Sequence, residues 1–516
     1  MTIIASLTCT HCSQSFDILQ EDRDFYDKIS PRYKDYTGTI PNPTLCPDCR
    51  QRRRLSFRNE RKLYRRSCDA SNKQIISIYS PDKPHTVYDQ KIRRWDSRDP
   101  MDFGRDFDFS KTFTDQFGEL MKEVPMAPLT NEFMKQENCD YTNSSGPGKN
   151  CYMSFEFAFC ENIHHCKSVF SSNNCIDCTY WSNLKDCYGC IDSDECFSCK
   201  NVQYCNNCSY CIWCYNCKNC QYCINCDWLE NQKYCIENIS YSSKEKFEIA
   251  VNEYVYRTRE KKLLTNGKLL WNENVNNSHN VQNSNNVSYS FGGQSLENVK
   301  YCWDVFDTKD TYDFFSWWED VKRCYEMQES WRHLYKSAFL WLCRDNSTNL
   351  YYSFYCSSSS HLFGCIWLRN KSYCILNKQY TKEEYNILVP KIIQHMQETW
   401  ERGEFFHPSL SPFGYNETVA QEYFPVSDIS ELAPHGYHRS EYNKPTPNIQ
   451  NLLDASELPS TQNATDEICT QAIQCEVSGQ PFRIIKQELE FYRKHNLPLP
   501  TKHPDVRHSE RMSLRR

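Results

Sequence analysis

The chain has 516 residues, a formal net charge of −6 and a mean hydropathy of −0.76. No apolar run approaches the ~20 residues that a membrane span needs, and the start, Met1–Ala5, has no charged segment before an apolar one, so neither a span nor a signal peptide is expected. With 32 cysteines and no export signal, the composition predicts a reducing, cytoplasmic setting in which thiols act as metal ligands or small hydrophobic side chains.

Two Cys-x-x-Cys knuckles lie near the N-terminus. Cys9-Thr10-His11-Cys12 is followed, after a loop, by Cys46-Pro47-Asp48-Cys49. Four thiolates in this arrangement can close a tetrahedron around zinc, and a closed four-sulfur site leaves no position for a reacting water. The spacing therefore predicts one structural Zn²⁺ site, with His11 outside the ligand set. The predicted ligands are Cys9, Cys12, Cys46 and Cys49.

A strongly basic segment follows the second knuckle directly. Residues 50–66 include nine basic residues and one acid, so the rest of the chain carries a net charge of −14. Guanidinium groups match phosphate oxygens in pairs, and Phe57 or Tyr64 could stack on a base. The pattern predicts a nucleic-acid-binding surface, and the alternative is a solvated helix packed by Leu55 and Leu63. The candidate contacts are Arg50, Arg52, Arg53, Arg54, Arg58, Arg61, Lys62, Arg65 and Arg66.

Residues 67–138 form a mixed connecting region, followed by a ladder of cysteines. Nineteen cysteines between Cys139 and Cys235 share one phase of a three-residue repeat. A helix or a flat strand would scatter them over several faces, whereas a chain that turns a corner every few residues can aim each third side chain inward. Apolar residues share the same position in the repeat, which favours a core of buried free thiols. We therefore predict a β-solenoid module over 139–268. The connecting region's phenylalanines are expected to pack on its first coil: Phe103, Phe107, Phe109, Phe113 and Phe117.

A second module, predicted over 269–402, continues the three-residue step with fewer sulfurs. Asparagines at intervening positions are expected to form hydrogen-bonded ladders between coils. The coil length stays open, because a twelve-residue column of cysteines and other multiples of three both fit the sequence. The step is carried by Val275, Ser278, Val281, Ser284, Val287 and Ser290, and later by Cys356, Leu362, Cys365, Leu368 and Cys374; the asparagines are Asn276, Asn277, Asn280, Asn283, Asn285 and Asn286.

The two modules end alike. The sequence from Leu229 to Tyr241 returns from Leu368 to Tyr380 at a constant offset of 139 residues. Ser242-x-x-Glu245 and Thr381-x-x-Glu384 then follow, and both are capping boxes that open helices. Helices over about 242–263 and 381–402 should cover the last coil of each module, because an open solenoid end is an unpaired edge.

The chain ends on a second copy of its beginning. Residues 403–465 are rich in proline, serine and asparagine and are interpreted as a partly ordered linker. In 466–516 the Phe-x-Ile pattern and the aromatic pair of the N-terminal region return. Cys475, Ser478, His503 and Val506 stand where four thiolates belong, so this copy is expected to fold without metal; Cys469 or His508 completing an unusual site is the alternative.

Both copies resemble the short treble-clef zinc ribbons of uncharacterised bacterial proteins, with an aromatic pair between the knuckles and Cys-Pro-x-Cys-Arg at the second. The whole arrangement is similar to large cysteine-rich zinc-ribbon proteins of candidate-phylum bacteria, for which no function is known. The resemblance implies a treble-clef ribbon with a basic extension over 1–66. The predicted fold is mainly β, with two tandem cysteine-rich β-solenoid modules, each capped by a helix, between an N-terminal zinc ribbon and a degenerate C-terminal ribbon.

Three functions are weighed. The first is a non-enzymatic zinc-binding scaffold that binds nucleic acid, RNA in particular, because a ribbon with an adjacent basic segment suits phosphates. The second is a protein-interaction scaffold, and the third is a soft-metal-binding protein that uses the cysteine ladder. No phosphate-binding glycine loop, HExxH motif or nucleophile-elbow serine is present, so enzyme activity is not expected.

Overall fold

The structure is a computed structural model that describes residues 2–33, 36–94, 99–254, 273–276, 278–282, 284–315, 320–330, 332–443, 449 and 452–514. The chain divides into two compact units, each built from two separate segments. The first unit combines Met1–Pro128 with Leu264–Tyr442, and the second combines Leu129–Leu263 with Asn443–Arg516. The N-terminal ribbon thus belongs with the second solenoid module, and the C-terminal ribbon belongs with the first.

Short strands outnumber helices in the described part of the chain. The α-helices are α1 (Gln20–Ile29), α2 (Pro47–Leu55), α3 (Gln90–Arg94), α4 (Phe113–Glu123), α5 (Lys244–Glu253), α6 (Lys382–Glu398), α7 (Val419–Tyr423), α8 (Lys486–His495) and α9 (Pro504–Ser513). Short 3₁₀ helices are Pro100–Phe103, Phe133–Lys135, Pro408–Leu410, Tyr415–Glu417, Ile429–Glu431, Ala433–His435, Ala455–Glu457 and Asp466–Thr470. In the first unit the strands are Ile3–Thr8, Ser15–Leu19, Arg32–Tyr33, Tyr36–Thr37, Tyr64–Ser67, Gln74–Ser77, Glu273–Asn276, His279–Gln282, Asn285–Ser288, Phe291–Gln294, Glu297–Lys300, Trp303–Phe306, Thr308–Phe315, Val321–Gln328, Leu334–Trp341, Ser347–Phe354, Ser360–Phe363, Ser372–Ile375 and Lys378–Gln379. In the second unit they are Gln136–Glu137, Gly148–Lys149, Phe155–Ala158, Cys160–His164, Lys167–Phe170, Asn173–Ile176, Thr179–Ser182, Gln221–Ile224, Lys233–Ile236, Ile239–Ser240, Leu452–Asp454, Ala472–Gln474 and Pro481–Phe482.

The solenoid of the second unit repeats every twelve residues. Parallel pairing places Ile163 beside Cys175 and Cys223 beside Cys235. Isolated parallel bridges keep the same offset at every third residue, from Asn173 with Lys185 onward. The three-residue period alone left the coil length open, and this hydrogen-bonded register decides it.

Each coil turns its corners at residues with a left-handed backbone. The residue before each inward-pointing position has a positive φ, such as 53° at Asn162, 52° at Asn174 and 56° at Tyr210. This region is sterically unfavourable for most side chains, and asparagine and aspartate tolerate it best. Asparagine is the commonest corner residue of this solenoid in a chain with only 14 glycines, and tyrosines such as Tyr210 occupy other corners.

The cysteine ladder forms the interior of this solenoid, as predicted. Cys199, Cys205 and Cys211 are each at most 1% exposed. The thiol of Cys205 lies 3.5 Å from the Gln203 carbonyl oxygen in its own coil and 3.6 Å from the Cys214 carbonyl oxygen farther along the chain. Cysteine suits this space because it is small, apolar and a weak hydrogen-bond donor.

The solenoid of the first unit follows the same plan with a local change of coil length. Its pairing is offset by twelve residues at Val287 and Val299, but by thirteen at Thr308 and Val321. The thirteen-residue offset recurs in the next two coils before twelve returns. These longer coils explain the changes of phase in the sequence. Asn286 donates to Asn298 Oδ1 at 3.0 Å, as expected for an asparagine ladder. The predicted positions Asn277 and Asn283, and the module boundary at 268 and 269, lie outside the described residues.

The cap helix of the second predicted module is α6. The Thr381 hydroxyl accepts the Glu384 backbone N–H at 3.2 Å, and the Glu384 carboxylate accepts the Thr381 backbone N–H at 2.9 Å, which confirms the capping box. Tyr385 is buried and packs edge-on against Tyr373, with ring centroids 5.7 Å apart. The helix therefore covers the last coil.

The cap helix of the first predicted module is α5, and it begins one residue later than predicted. Ser243, rather than Ser242, accepts the backbone N–H at the helix start. Phe247 packs with Ile224 and Ile236 of the last coils. Residues 255–263, the predicted end of this helix, lie outside the described residues.

Two connecting regions differ from expectation. The segment after α6 is not a linker over 403–442, since Phe405 packs edge-on against Phe57 at 5.3 Å and the Val419 backbone N–H donates to the Arg58 carbonyl at 2.9 Å. Phe113 packs against Tyr352, in the second predicted module rather than on the first coil. Buried aromatic residues anchor both segments in spite of their polar composition. None of the described helices is long and apolar enough to cross a membrane.

Candidate metal centre and the neighbouring arginine cluster

Four cysteine sulfurs converge at the N-terminal ribbon. The Sγ atoms of Cys9, Cys12, Cys46 and Cys49 all lie within 4.8 Å of one another, and Cys12 Sγ is 3.7 Å from Cys46 Sγ. All but Cys12 are buried. Such a group can bind a metal ion, and within the part of the chain that the structure describes no other set of three or more ligand-type side chains converges in this way.

Local backbone structure brings the two knuckles together. The strand Ile3–Thr8 ends at the first knuckle, where Cys9 N–H donates to the Gln14 carbonyl and Ser13 N–H donates to the Cys9 carbonyl, both at 2.9 Å. Ser13 completes this tight turn with a φ of 60°. At the second knuckle Cys46 is the N-cap of α2 and Pro47 is its first residue, a position that suits proline because no N–H is needed there.

One thiol of the four, that of Cys46, is made more acidic by its neighbours. Hydrogen bonds from neighbouring thiols, that from Cys49 first, lower the pKa of Cys46 to about 5, while the same contacts raise the pKa of Cys49. Thiolates are the metal-binding form, so the lowered pKa of Cys46 favours metal binding at this thiol. His11 is not among the converging residues, and its ring stacks on His435 with centroids 3.9 Å apart.

The basic segment lies against the solenoid of the first unit. Arg50, Arg53 and Arg54 on α2 are buried together with Asp313 and Glu326, and we call these five residues the first arginine cluster. The guanidinium group of Arg50 lies 2.9 Å from the Asp313 carboxylate. That of Arg54 is 2.9 Å from Glu326, and Arg53 contacts both Glu326, at 2.8 Å, and Glu404, at 2.6 Å. Removing one member of a buried ion pair is costly because it leaves a charge without a partner.

This placement corrects the role predicted for several basic residues. Arg50, Arg53, Arg54 and Arg58 are at most 4% exposed, so their guanidinium groups face internal carboxylates and not solvent. Arg58 pairs with Glu60 at 2.5 Å. Arg66 is also buried, whereas Arg65 is exposed and Arg52, Arg61 and Lys62 are partly exposed. The charges of Arg50, Arg53 and Arg54 are balanced by acids far along the chain, whereas Arg58 and Arg66 pair with the nearby acids Glu60 and Asp69.

The C-terminal ribbon keeps the backbone of the first but only one of its four thiols, that of Cys475. Cys475 N–H donates to the Gln480 carbonyl and Gly479 N–H donates to the Cys475 carbonyl, each at 3.0 Å, which repeats the first knuckle. Gly479 has a φ of 67°, like Ser13. At the second knuckle His503 is the N-cap of α9, and its Nδ1 accepts the Asp505 N–H at 3.1 Å.

The C-terminal ribbon carries a matching ion-pair group that the sequence alone did not predict. Arg507 and Arg511 on α9 both contact the Asp177 carboxylate, and Arg507 also lies 3.3 Å from Glu488. We call these four residues the second arginine cluster. The signal was an arginine pair four residues apart in both ribbon copies, Arg50 with Arg54 and Arg507 with Arg511. Its acidic partners could be found only in the tertiary structure.

Comparisons with known proteins name no family for the chain. No protein-family model matches it, and no curated protein matches it. A solved structure described as a "putative acetyltransferase" from Desulfovibrio desulfuricans G20 aligns with 42% of this chain and 63% of its own length, at 7% identity and a TM-score of 0.10. This likeness is too low to carry an argument about fold or function.

Proposed function

We propose that the protein is a non-enzymatic, zinc-stabilised scaffold that binds a protein partner on a face of its second-unit solenoid. The observation that carries this proposal is the burial of Arg50, Arg53 and Arg54 in ion pairs. Nucleic-acid binding by the basic segment depended on these side chains, and in this fold they hold the ribbon against its solenoid.

Zinc is the metal that the four cysteines suit best. In a tetrahedral site with Zn–S bonds of about 2.3 Å, neighbouring sulfurs are about 3.8 Å apart. The 3.7 Å between Cys12 Sγ and Cys46 Sγ matches this edge. A bound Zn²⁺ would cross-link the two knuckles, and with four protein ligands it would have no open position for a substrate. Cys9 and Cys49 would complete the ligand set.

A row of tyrosines marks a surface suited to a protein partner. Tyr210 and Tyr222 stack with centroids 4.7 Å apart and planes 4° apart, and Tyr222 stacks on Tyr234 at 5.5 Å. Tyr210 is 42% exposed. Because the tyrosine rings cover one another's faces, a nucleobase has little room to stack between them. Their edges remain available for contact with a protein partner. Tyrosine is enriched at protein interfaces because it offers a large, rigid surface with a polar tip.

The test is capture of partners from cell lysate by the tagged full-length protein, with and without nuclease. The double variant Tyr210→Asn and Tyr222→Asn should lose the captured protein and keep its fold, because asparagine tolerates these left-handed corners. The matched control is Tyr289→Asn, which removes an exposed left-handed tyrosine from the other solenoid.

The outcomes separate the candidate functions. The proposal is supported if a protein is still captured after nuclease treatment, is no longer captured by the double variant, and is captured normally by the control variant. Loss of all captured material on nuclease treatment, together with a gel shift of RNA at low salt, would favour nucleic-acid binding through the more exposed residues Arg52, Arg61, Lys62 and Arg65. Several metal ions per chain would favour soft-metal binding by the ladder.

A further inference from the structure

One corner of the first-unit solenoid places two cations side by side. Parallel pairing aligns Cys324 with Ser337, so the corner residues just before them, Arg323 and Lys336, occupy the same position in successive coils. Adjacent coils are about 4.8 Å apart, and like charges directly opposite each other destabilise a sheet. The fold alone therefore gives no reason for this pair of charges, which marks the place as one where an anion would be favourable.

The guanidinium group of Arg323 is oriented by its neighbours. Its Nη1 donates to the Tyr335 hydroxyl at 2.9 Å, and its central carbon lies 5.7 Å from the centroid of the same ring. Its Nε is 4.0 Å from the carboxylate of Asp310, which is already paired with Lys28 at 2.6 Å. The Arg323 side chain is 41% exposed, so it reaches solvent in a defined orientation.

A third cation comes from the N-terminal ribbon. The Tyr351 hydroxyl donates to the Ile29 carbonyl at 3.4 Å, which places the end of α1 against this solenoid, and Arg32 follows three residues later. Burial first, and then Arg32 and Arg323, lower the pKa of Lys336, so the three charges are close enough to repel one another. Among the described residues, neither Arg32 nor Lys336 pairs with a carboxylate. We call Arg32, Arg323 and Lys336 the cation patch.

We propose that the cation patch binds an anion with two or more linked phosphate groups. Guanidinium groups bond phosphate oxygens in pairs, and the ammonium group of Lys336 adds a compact charge beside them. A single phosphate group carries about 1.5 to 2 negative charges near neutral pH, so a chain of phosphates matches three clustered cations better than one carboxylate does. The linked groups can also contact successive coils, whose corner cations are one coil apart.

The charges on the neighbouring outward positions of these coils are balanced. Lys309 pairs with Glu297 at 2.6 Å, and Lys322 pairs with Asp320. Among the described ion pairs of the cation patch, the carboxylate that opposes an incoming anion is that of Asp310. Removing this carboxylate should therefore strengthen binding, whereas removing the corner cations should weaken it.

The test measures binding of tripolyphosphate to the full-length protein by isothermal titration calorimetry at low ionic strength. We expect a dissociation constant below about 1 mM, at least about ten-fold tighter binding than for sulfate, and a loss of affinity as salt is added. ATP without added magnesium is the second probe. Affinity equal to or weaker than that of tripolyphosphate would identify the phosphate chain as the recognised group, and tighter binding would identify a nucleotide as the ligand.

Substitutions at the corners separate binding from folding. The double variant Arg323→Asn and Lys336→Asn should lose at least about ten-fold in affinity. It should keep or raise the melting temperature, because it removes a repulsion and asparagine suits these left-handed corners, with φ of 56° and 49°. Asp310→Asn should tighten binding about three-fold to ten-fold, since it removes the opposing charge.

The matched control is Lys73→Gln, which removes an exposed lysine from the turn before the strand Gln74–Ser77 of the same unit and should leave the affinity unchanged. Any extraction of zinc by the probe would persist in the double variant, so it cannot imitate binding at the cation patch. Undiminished binding to the double variant, sulfate binding as tight as that of tripolyphosphate, or no binding of tripolyphosphate would each overturn the proposal. A lower melting temperature of the double variant would contradict the repulsion on which the proposal rests.

Discussion

At the residue scale, the first arginine cluster allows a fully buried ion pair to be compared with one whose cation reaches solvent. Asp313 is fully buried between Arg50 and Arg54, whereas Asp310, one corner earlier, pairs with Lys28, whose side chain is 40% exposed. Both aspartates have a left-handed backbone that asparagine accepts. Because both replacements remove one negative charge at a left-handed corner, their comparison isolates the effect of the buried guanidinium partners.

We expect Asp313→Asn to lower the free energy of unfolding of the first unit by about 3–5 kcal/mol, because two buried guanidinium groups lose a partner. Asp310 is itself only 8% exposed, but its partner Lys28 reaches solvent, so Asp310→Asn should cost less, about 1 kcal/mol. Urea denaturation of the full chain, followed by calorimetry for each unit, measures the difference. Similar losses for the two variants would show that the cluster does not hold the ribbon in place.

The ion pairs of Glu488 in the second arginine cluster predict that the stability of the second unit falls at acidic pH. Burial alone would raise the pKa of this carboxyl, but His165 and Arg507 beside it lower the pKa below its ordinary value. Its stabilising contribution is therefore complete above the unfolded pKa of about 4.3 and is lost as the pH falls toward the folded value. The urea midpoint of the second unit, measured from about pH 6 to about pH 3, should fall less steeply in Glu488→Gln than in the wild type. Glu490→Gln, on the exposed side of the same helix, should retain the wild-type slope.

At the element scale, the capping box of α6 has a defined energetic role. Thr381→Ala removes the hydroxyl that accepts the Glu384 N–H and should lower the stability of the first unit by about 1 kcal/mol. Thr381→Ser keeps the oxygen and should behave like the wild type. Differential scanning calorimetry of both variants provides the measurement, and an equal loss in the serine variant would assign the effect to the methyl group instead of the cap.

The cysteine ladder should be chemically silent in the folded protein. Burial raises the pKa of Cys160 and Cys205 to about 12, whereas hydrogen bonds from neighbouring thiols, Cys196 first, lower the pKa of Cys208 to about 5. Protection of the ladder therefore depends on exclusion of the reagent, since each of its cysteines from Cys151 to Cys235 is at most 3% exposed. A thiol reagent should react fast only with the partly exposed Cys139 and Cys469, and with Cys12 once metal is removed. All 32 thiols should react in denaturant. Rapid reaction of many ladder thiols in the native protein would contradict a dry interior.

At the scale of the whole molecule, the proposal predicts about one bound zinc per chain. Cys49→Ser should remove that zinc and lower the stability of the first unit, because the knuckles lose their cross-link. Cys475→Ser is the matched control, since Cys475 occupies the position of Cys9 in a ribbon copy that lacks the other ligands. Elemental analysis of proteins purified under reducing conditions decides the count, and several metals per chain would overturn the one-site model.

Much of the fold could be predicted because it depends on local or repeated patterns. The inward position of Cys205, the capping box at Thr381 and the paired knuckles at Cys9 and Cys46 each follow from side-chain spacing. A repeat places the same type of residue at the same position in many coils, so its period can be recognised even where individual residues differ. The coil length was open because every multiple of three satisfies that period, and only the hydrogen bonds between coils select twelve or thirteen.

The basic character of α2 can be read from its residues alone, but the role of its arginines depends on contacts with distant parts of the chain. Arg50 meets Asp313 across 263 positions of chain, and nothing local to either residue marks the other as its partner. The same is true of the pairing of each ribbon with the solenoid that is not next to it in the sequence. An exposed arginine is available to a ligand, whereas Arg50 is buried and pairs with an internal acid. Which of the two occurs depends on burial, and burial is a property of the assembled fold.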